Sequence, residues 1–193
     1  MPQSGLDQLH QCETFMDVTL RLAELNDVPA LRNLIRESVS ALSEGFYTPA
    51  QISSALEHLF GVDTQLITDG TYYIAEVDGQ LAGSGGWSKR KTLYGGDQTK
   101  TAEPDRLLDP ATEPARIRAF YVHPQQSRRG VASRILDACE SAARDAGFKR
   151  IELAATLPGE PLYLAKGYMK VQAIELDIAG GDPLPAFLMA KIL

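Results

Sequence analysis

Between residues 115 and 155 the chain reads as strand, helix, strand, and no other stretch restricts its fold so tightly. ARIRAFYV (115–122) has strand character and runs into His123-Pro124, where a ladder cannot comfortably continue. From Gly130 to Ala146 the pattern is helical, with Val131, Ile135, Cys139, Ala142, Ala143 and Ala146 on one side. Gly147 then offers a C-cap, and RIELAA (150–155) is the next strand. Two strands joined through a helix run parallel, with the helix lying on one face of their sheet.

The flanking segments supply the rest of such a sheet. VTLRLA (18–23) alternates apolar and polar residues as a first strand. Asn26 or Asp27 caps a helix with Pro29 in its first turn and Val28, Leu31, Leu34, Ile35, Val39 and Leu42 at helical spacing. Thr48-Pro49-Ala50-Gln51 is a capping box that opens a second helix. TYYIAEV (71–77), Asp78-Gly79 and QLAGSGGW (80–87) spell a hairpin, because Asp-Gly supplies the positive φ angles of a two-residue turn. MKVQAIELDI (169–178) and LPAFLMAKIL (184–193) are two closing strands after a short helix over 162–166. The expected architecture is one mixed sheet with helices on both faces, class α/β (mixed α+β), in a single domain over 17–193. Residues 1–16 are expected to form a flexible N-terminal segment. Residues 88–113 are polar and rich in turn formers, either a lid or substrate loop or a solvated insertion.

Composition excludes several functions. Nineteen basic residues against 25 acidic give a net charge of −6, unpromising for nucleic acid, where phosphate neutralisation supplies most of the affinity. No apolar run approaches the roughly 18 residues of a membrane span. The N-terminus lacks the features of a secretion signal, so a cytoplasmic protein is the expectation. His10, His58 and His123 are scattered without metal-ligand spacing, so no metal is expected. Cys12 and Cys139 show no paired spacing, and Cys139 reads as a small core residue. In the GSGGW run (83–87) the glycines mark a bulge or close packing, while Trp87, Tyr47, Tyr72 and Tyr73 are candidates to line a pocket.

The chemistry concentrates between the strand ending at Val122 and the helix opening at Gly130. Backbone N–H groups without intrahelical partners point outward there, and the helix dipole adds to their attraction for an anion. Gly130 and Ala132 keep side chains small where a phosphate must approach, and Arg128 and Arg129 bring charge. The spacing is neither a Walker loop nor a dinucleotide fingerprint. An ordinary basic helix start is the competing reading.

The run Val122-His123-Pro124 followed by Arg128-Arg129-Gly130-Val131-Ala132 resembles the acetyl-CoA-binding motif of the GCN5-related N-acetyltransferases (GNAT family). Gly130 and Ala132 fit its last two fixed positions, whereas Ser127 stands where Gln or Arg is usual and Arg128 replaces a frequent glycine. A second element, Pro161-Leu162-Tyr163-Leu164-Ala165-Lys166-Gly167-Tyr168, is similar to the family's Tyr-x-x-x-Gly-Phe/Tyr helix. The resemblance implies a mostly antiparallel, twisted sheet of about seven strands whose parallel fourth and fifth strands splay apart. It also implies acetyl-CoA as cosubstrate. The pantetheine arm would lie along Phe120, Tyr121 and Val122, pairing with backbone at Phe120 and Val122. Arg128, Arg129, Gly130, Val131, Ala132 and Ser133 would form the pyrophosphate site.

Tyr163 is the catalytic candidate, since expelled CoA thiolate needs a proton or a hydrogen bond. Its competing reading is a packed ring whose hydroxyl meets water. The fourth strand offers no carboxylate as general base, and Glu44, Glu76, Glu113 and Glu152 read better as surface or cap residues. The expected reaction is acetyl transfer to a primary amine of a small molecule, by direct attack in a ternary complex. A catalytically silent acyl-CoA sensor and an acetyltransferase of protein N-termini or lysines are the alternatives. A homodimer is among the expected assemblies.

Overall fold

The computed structural model describes residues 18–193; the segment 1–17, with Cys12 and His10, lies outside the described residues. Seven strands form one sheet: β1 (Val18–Leu22), β2 (Tyr72–Val77), β3 (Gln80–Ser88), β4 (Ala115–Val122), β5 (Arg150–Thr156), β6 (Met169–Leu176) and β7 (Leu184–Ile192). Their spatial order is β1-β2-β3-β4-β5-β7-β6. All neighbours run antiparallel except β4 and β5. The parallel exception follows from the connection, because the helix α4 (Val131–Asp145) carries the chain back over the sheet between those two strands.

Local chemistry sets the boundaries. Asp78 and Gly79 both take positive φ, 52° and 72°, as the tight β2–β3 turn requires. The helix α1 spans Val28–Leu42, and α2 spans Pro49–His58. At the start of α2, Gln51 N–H donates to Thr48 Oγ1 (3.2 Å) and Thr48 N–H to Gln51 Oε1 (3.0 Å), a closed capping box. A third helix, α3 (Thr64–Thr68), has only five residues and carries no periodic signal that sequence reading could use. Its cap, Asp63, accepts from Gln65 N–H at 3.1 Å.

Two cores flank the sheet. On one face α4 and the short α5 (Glu160–Ala165) bury Val131, Ile135, Leu136 and Cys139 against Ile117, Ile151 and Leu153. On the other, α1, α2 and α3 bury Leu31, Leu34, Leu66 and Tyr72 over β1–β4. A smaller cluster of Tyr47, Leu59, Leu176 and Leu184 continues that face over β7 and β6. Among the described residues no helix is long and apolar enough to cross a membrane.

The segment 88–113 departs from the expectation of a solvated insertion. Its two arms pair with each other, Lys91 N–H to Arg106 carbonyl (3.0 Å) and Leu108 N–H to Lys89 carbonyl (2.8 Å). The tip folds onto the chain after α2, where Gly96 N–H donates to Leu59 carbonyl (3.0 Å) and Asp97 N–H to Val62 carbonyl (2.9 Å). Arg90 holds its root through Asp69 at 2.6 Å, which keeps that carboxyl below the ordinary carboxylate range.

Candidate active site

The sheet opens at β4 and β5. Only Ala115 with Ile151 and Arg116 with Glu152 pair across them, while β5 stays paired to β7 along its whole length. Beyond Arg116 the edge of β4 therefore faces a gap. Just there β4 bulges: Arg118 opposes Gly86 and Tyr121 opposes Ser84, so Ala119 and Phe120 share the single opposing Gly85. Ala119 sits at φ 54°, and its carbonyl is met by the buried Tyr72 hydroxyl (3.3 Å), which also contacts Ser84 Oγ (3.1 Å).

The glycines of the 83–87 run make this geometry possible. A Cβ on Gly85 would fall 2.6 Å from the Phe120 ring, and one on Gly83 would fall 2.8 Å from Val131 Cγ1. Close approach is thus their role. Trp87 is buried in the α4 core, edge-on against Phe148 (centroids 6.1 Å). Tyr72 is sealed beneath α1–α3, and Tyr73 packs with the α4 core, so neither lines a pocket. Tyr47 does stand over the gap end. Its hydroxyl donates to Pro185 carbonyl (2.8 Å) and accepts from Leu157 N–H (2.9 Å), tying the α1–α2 loop to the ends of β5 and β7.

Downstream of β4 the chain turns into α4. His123 Nδ1 accepts from Gln125 N–H (3.3 Å), and His123 Nε2 lies 3.1 Å from Glu37 of α1. Arg128 and Gly130 both adopt left-handed backbone, φ 59° and 84°, and aim the first N–H groups of α4 outward. No acidic residue occupies the first turn of α4. A Cβ built on Gly130 meets nothing within 4 Å, so open space lies before it. Arg128 and Arg129 are exposed beside it, Arg129 bonded to Gln126 Oε1 at 3.0 Å. An acid-free helix N-terminus facing space between two arginines fits an anionic group such as a pyrophosphate. Val131 contributes only backbone, since its side chain is core; Ala132 and Ser133 are partly exposed on the first turn.

Tyr163 of α5 and Phe120 of β4 form one wall of the gap, edge to face at 6.4 Å between centroids. Tyr168 packs on the other side of Tyr163 at 5.6 Å. Tyr163 is 7% exposed, and its hydroxyl has no hydrogen-bond partner among the described residues. Burial pushes the phenol well above its ordinary value, so it remains protonated through the neutral range. Tyr121, between Phe120 and Val122, turns its ring to the opposite face against Phe60 (6.4 Å) and leaves only backbone to the gap.

On that opposite face lies a buried ion network. Asp63, fully buried, meets Lys100 Nζ at 2.7 Å and Arg118 Nη2 at 2.8 Å; the same Arg118 nitrogen donates to Gly95 carbonyl at 2.9 Å. These groups are 18 to 55 residues apart in sequence, and no local pattern announces them. The carboxylates considered as a base are otherwise engaged: Glu76 with Arg21, Glu152 with Arg116, and Glu113 with Arg106, which draws its carboxyl down to about 2. Glu44 bridges to Tyr47 through backbone. Another feature absent from the sequence reading is Ser38 of α1, whose hydroxyl accepts from Val122 N–H at 3.2 Å.

A sheet split at its parallel pair, with an acid-free helix N-terminus beside the split, defines the fold class. The solved structures agree. The GCN5-related N-acetyltransferase described as "Aminotransferase, Class-II" from Rhodopseudomonas palustris superposes with TM-score 0.66 at 20% identity, covering 92% of this chain and 98% of that one. PaiA N-acetyltransferase of Thermoplasma acidophilum, in complex with coenzyme A, gives 0.61 at 15% identity over 92% and 100%. The ribosomal-protein-alanine N-acetyltransferase of Brucella melitensis gives 0.59 at 18% over 91% and 99%. Residues 33–168 match the Acetyltransferase (GNAT) family, and the chain belongs to that family. It is an N-acetyltransferase whose cosubstrate is acetyl-CoA. Among curated proteins, none matches the sequence.

Proposed function

We propose that the protein moves the acetyl group of acetyl-CoA to a primary amine of a small molecule, with Tyr163 delivering a proton to the departing CoA sulfur. The observation that carries this reading is the unpaired edge of β4, walled by Phe120 and Tyr163 and ending at the Gly130 turn. A thioester laid along that edge would place its pyrophosphate at Gly130, Val131, Ala132 and Ser133, with Arg128 and Arg129 at the rim. The amine nitrogen attacks the carbonyl carbon, the C–S bond breaks, and the sulfur takes the Tyr163 proton while the new ammonium loses one to water, which returns a proton to the Tyr163 phenolate. A thiol titrates near about 8.5 and a phenol near about 10, so the proton moves uphill. It moves readily only as charge builds on sulfur.

The small-molecule class rests on the roof. Tyr47 closes one side of the opposite face through Pro185 and Leu157, and the 94–100 tip, pinned by Asp63, closes another. A face narrowed by these two anchored segments suits a compact amine better than a polypeptide, which needs a long open groove. The departures at Ser127 and Arg128 leave the first-turn N–H groups in place for the cofactor, and the retention of Tyr163 beside Phe120 supports turnover over a silent sensor.

Thiol release from acetyl-CoA, measured across small amines and peptides, tests the proposal. Release with small primary amines and none with peptides is the expected result. Release with peptide N-termini or lysines alone would overturn the acceptor class, and no release with any acceptor would overturn the enzyme reading.

A further inference from the structure

On the β4 side of the gap, the Val122 N–H is held by a side chain from outside the sheet. His123 N–H donates to Ala82 carbonyl of β3 at 2.9 Å, and Val122 opposes Gly83. Donors of successive strand residues point to opposite edges, so the Val122 N–H is turned away from β3 and toward the gap. There it meets Ser38 Oγ, reaching down from α1 at 3.2 Å. That bond is longer than the common 2.9–3.0 Å.

Ser38 is unusual for a mid-helix serine. It is 5% exposed, and its hydroxyl does not bond back to the carbonyl four residues earlier, as Thr68 does to Thr64 at 2.9 Å. Among the described residues it makes no hydrogen bond except the one it accepts from Val122. A hydroxyl can accept and donate at once. The buried Ser38 therefore still has a hydrogen to give, at the place where an amide carbonyl would come to take the Val122 N–H.

We propose that Ser38 is a pantetheine-binding residue: it occupies the Val122 N–H in the free protein and donates its hydroxyl hydrogen to the amide carbonyl that pairs with Val122 when acetyl-CoA is bound. One carbonyl oxygen has two lone pairs, so both donors are accommodated. The inference rests on the placement of the pantetheine arm along β4. Ser38 acts on the arm alone, since the pyrophosphate turn lies beyond His123.

Isothermal titration with two ligands separates the possibilities. Acetyl-CoA carries the arm, while 3′-phospho-ADP carries the pyrophosphate and nucleotide without it. In Ser38→Ala, acetyl-CoA affinity falls by about tenfold, the worth of one hydrogen bond, and 3′-phospho-ADP affinity is unchanged. Ser38→Thr, which keeps the hydroxyl, restores acetyl-CoA binding. Unchanged or tighter acetyl-CoA binding by Ser38→Ala would reduce Ser38 to a temporary cap on Val122 and overturn the proposal. Equal loss for both ligands would overturn it too, by showing general damage to the site. If the wild type binds 3′-phospho-ADP but gains nothing from the arm, the placement along β4 fails and Ser38 with it.

Discussion

The two sides of the β4–β5 gap are built by different means. The side proposed for the cofactor, from Phe120 through Ser133, is made of backbone: a bulge at Ala119, a left-handed turn at Arg128 and Gly130, and the first N–H groups of α4. The side proposed for the acceptor is made of long-range side-chain contacts: Asp63 with Arg118 and Lys100, and Tyr47 with Pro185 and Leu157. Backbone geometry is specified by neighbouring residues, so one substitution there changes binding and spares the fold. A buried charge is specified by its partner, so one substitution on the acceptor side unsettles the packing itself.

The largest expected effect accordingly falls on the acceptor side. Asp63→Asn leaves Arg118 and Lys100 without their shared carboxylate, a loss of about 3–5 kcal/mol for a buried pair broken on one side. For a chain of this size the melting temperature drops by roughly 10 °C, measured by calorimetry, while acetyl-CoA still binds at low temperature. An unchanged melting temperature would erase the contrast between the two sides.

Gly130→Glu is the mirror experiment. It puts a carboxylate in the open space before α4 and a side chain on backbone at φ 84°. Acetyl-CoA affinity falls by about 10² in isothermal titration, as charge meets charge at the anion turn. The fold loses only about 1–2 kcal/mol, the cost of a non-glycine residue in that conformation.

Tyr163→Phe keeps the ring against Phe120 and Tyr168 and removes the hydroxyl, which has no protein partner to forfeit. With chemistry limiting, kcat falls about 10²-fold and acetyl-CoA affinity holds. Near-normal kcat with a lower melting temperature would return Tyr163 to the core. The smallest change comes from Arg128→Gly. It relieves left-handed strain of about 1 kcal/mol and restores the glycine the GNAT motif frequently carries, so the melting temperature rises by about 2 °C.

The same contrast explains what could be read in the sequence. The strands along the chain, the Asp78-Gly79 turn, the capping box at Thr48 and the Gly130 turn are local patterns, and each element appears where its pattern stands. The glycines at 83 and 85 were legible as close-packing sites, although not what they pack against, Val131 and Phe120. That Trp87 packs into the α4 core could not be read from alternation along β3, which does not say which face meets which helix. The anchoring of 88–113 was hidden because its clasp joins Asp63, Lys100 and Arg118, whose meeting depends on the completed sheet. Ser38 was missed for a similar reason: its partner is a backbone N–H 84 residues away, freed only because the sheet splits.

Amide hydrogen exchange with and without acetyl-CoA tests the backbone-built cofactor side most directly. The expected result is slowed exchange across residues 119–133 and an unchanged rate across 94–100. Protection centred on 94–100, or none along 119–133 at saturating acetyl-CoA, would contradict it.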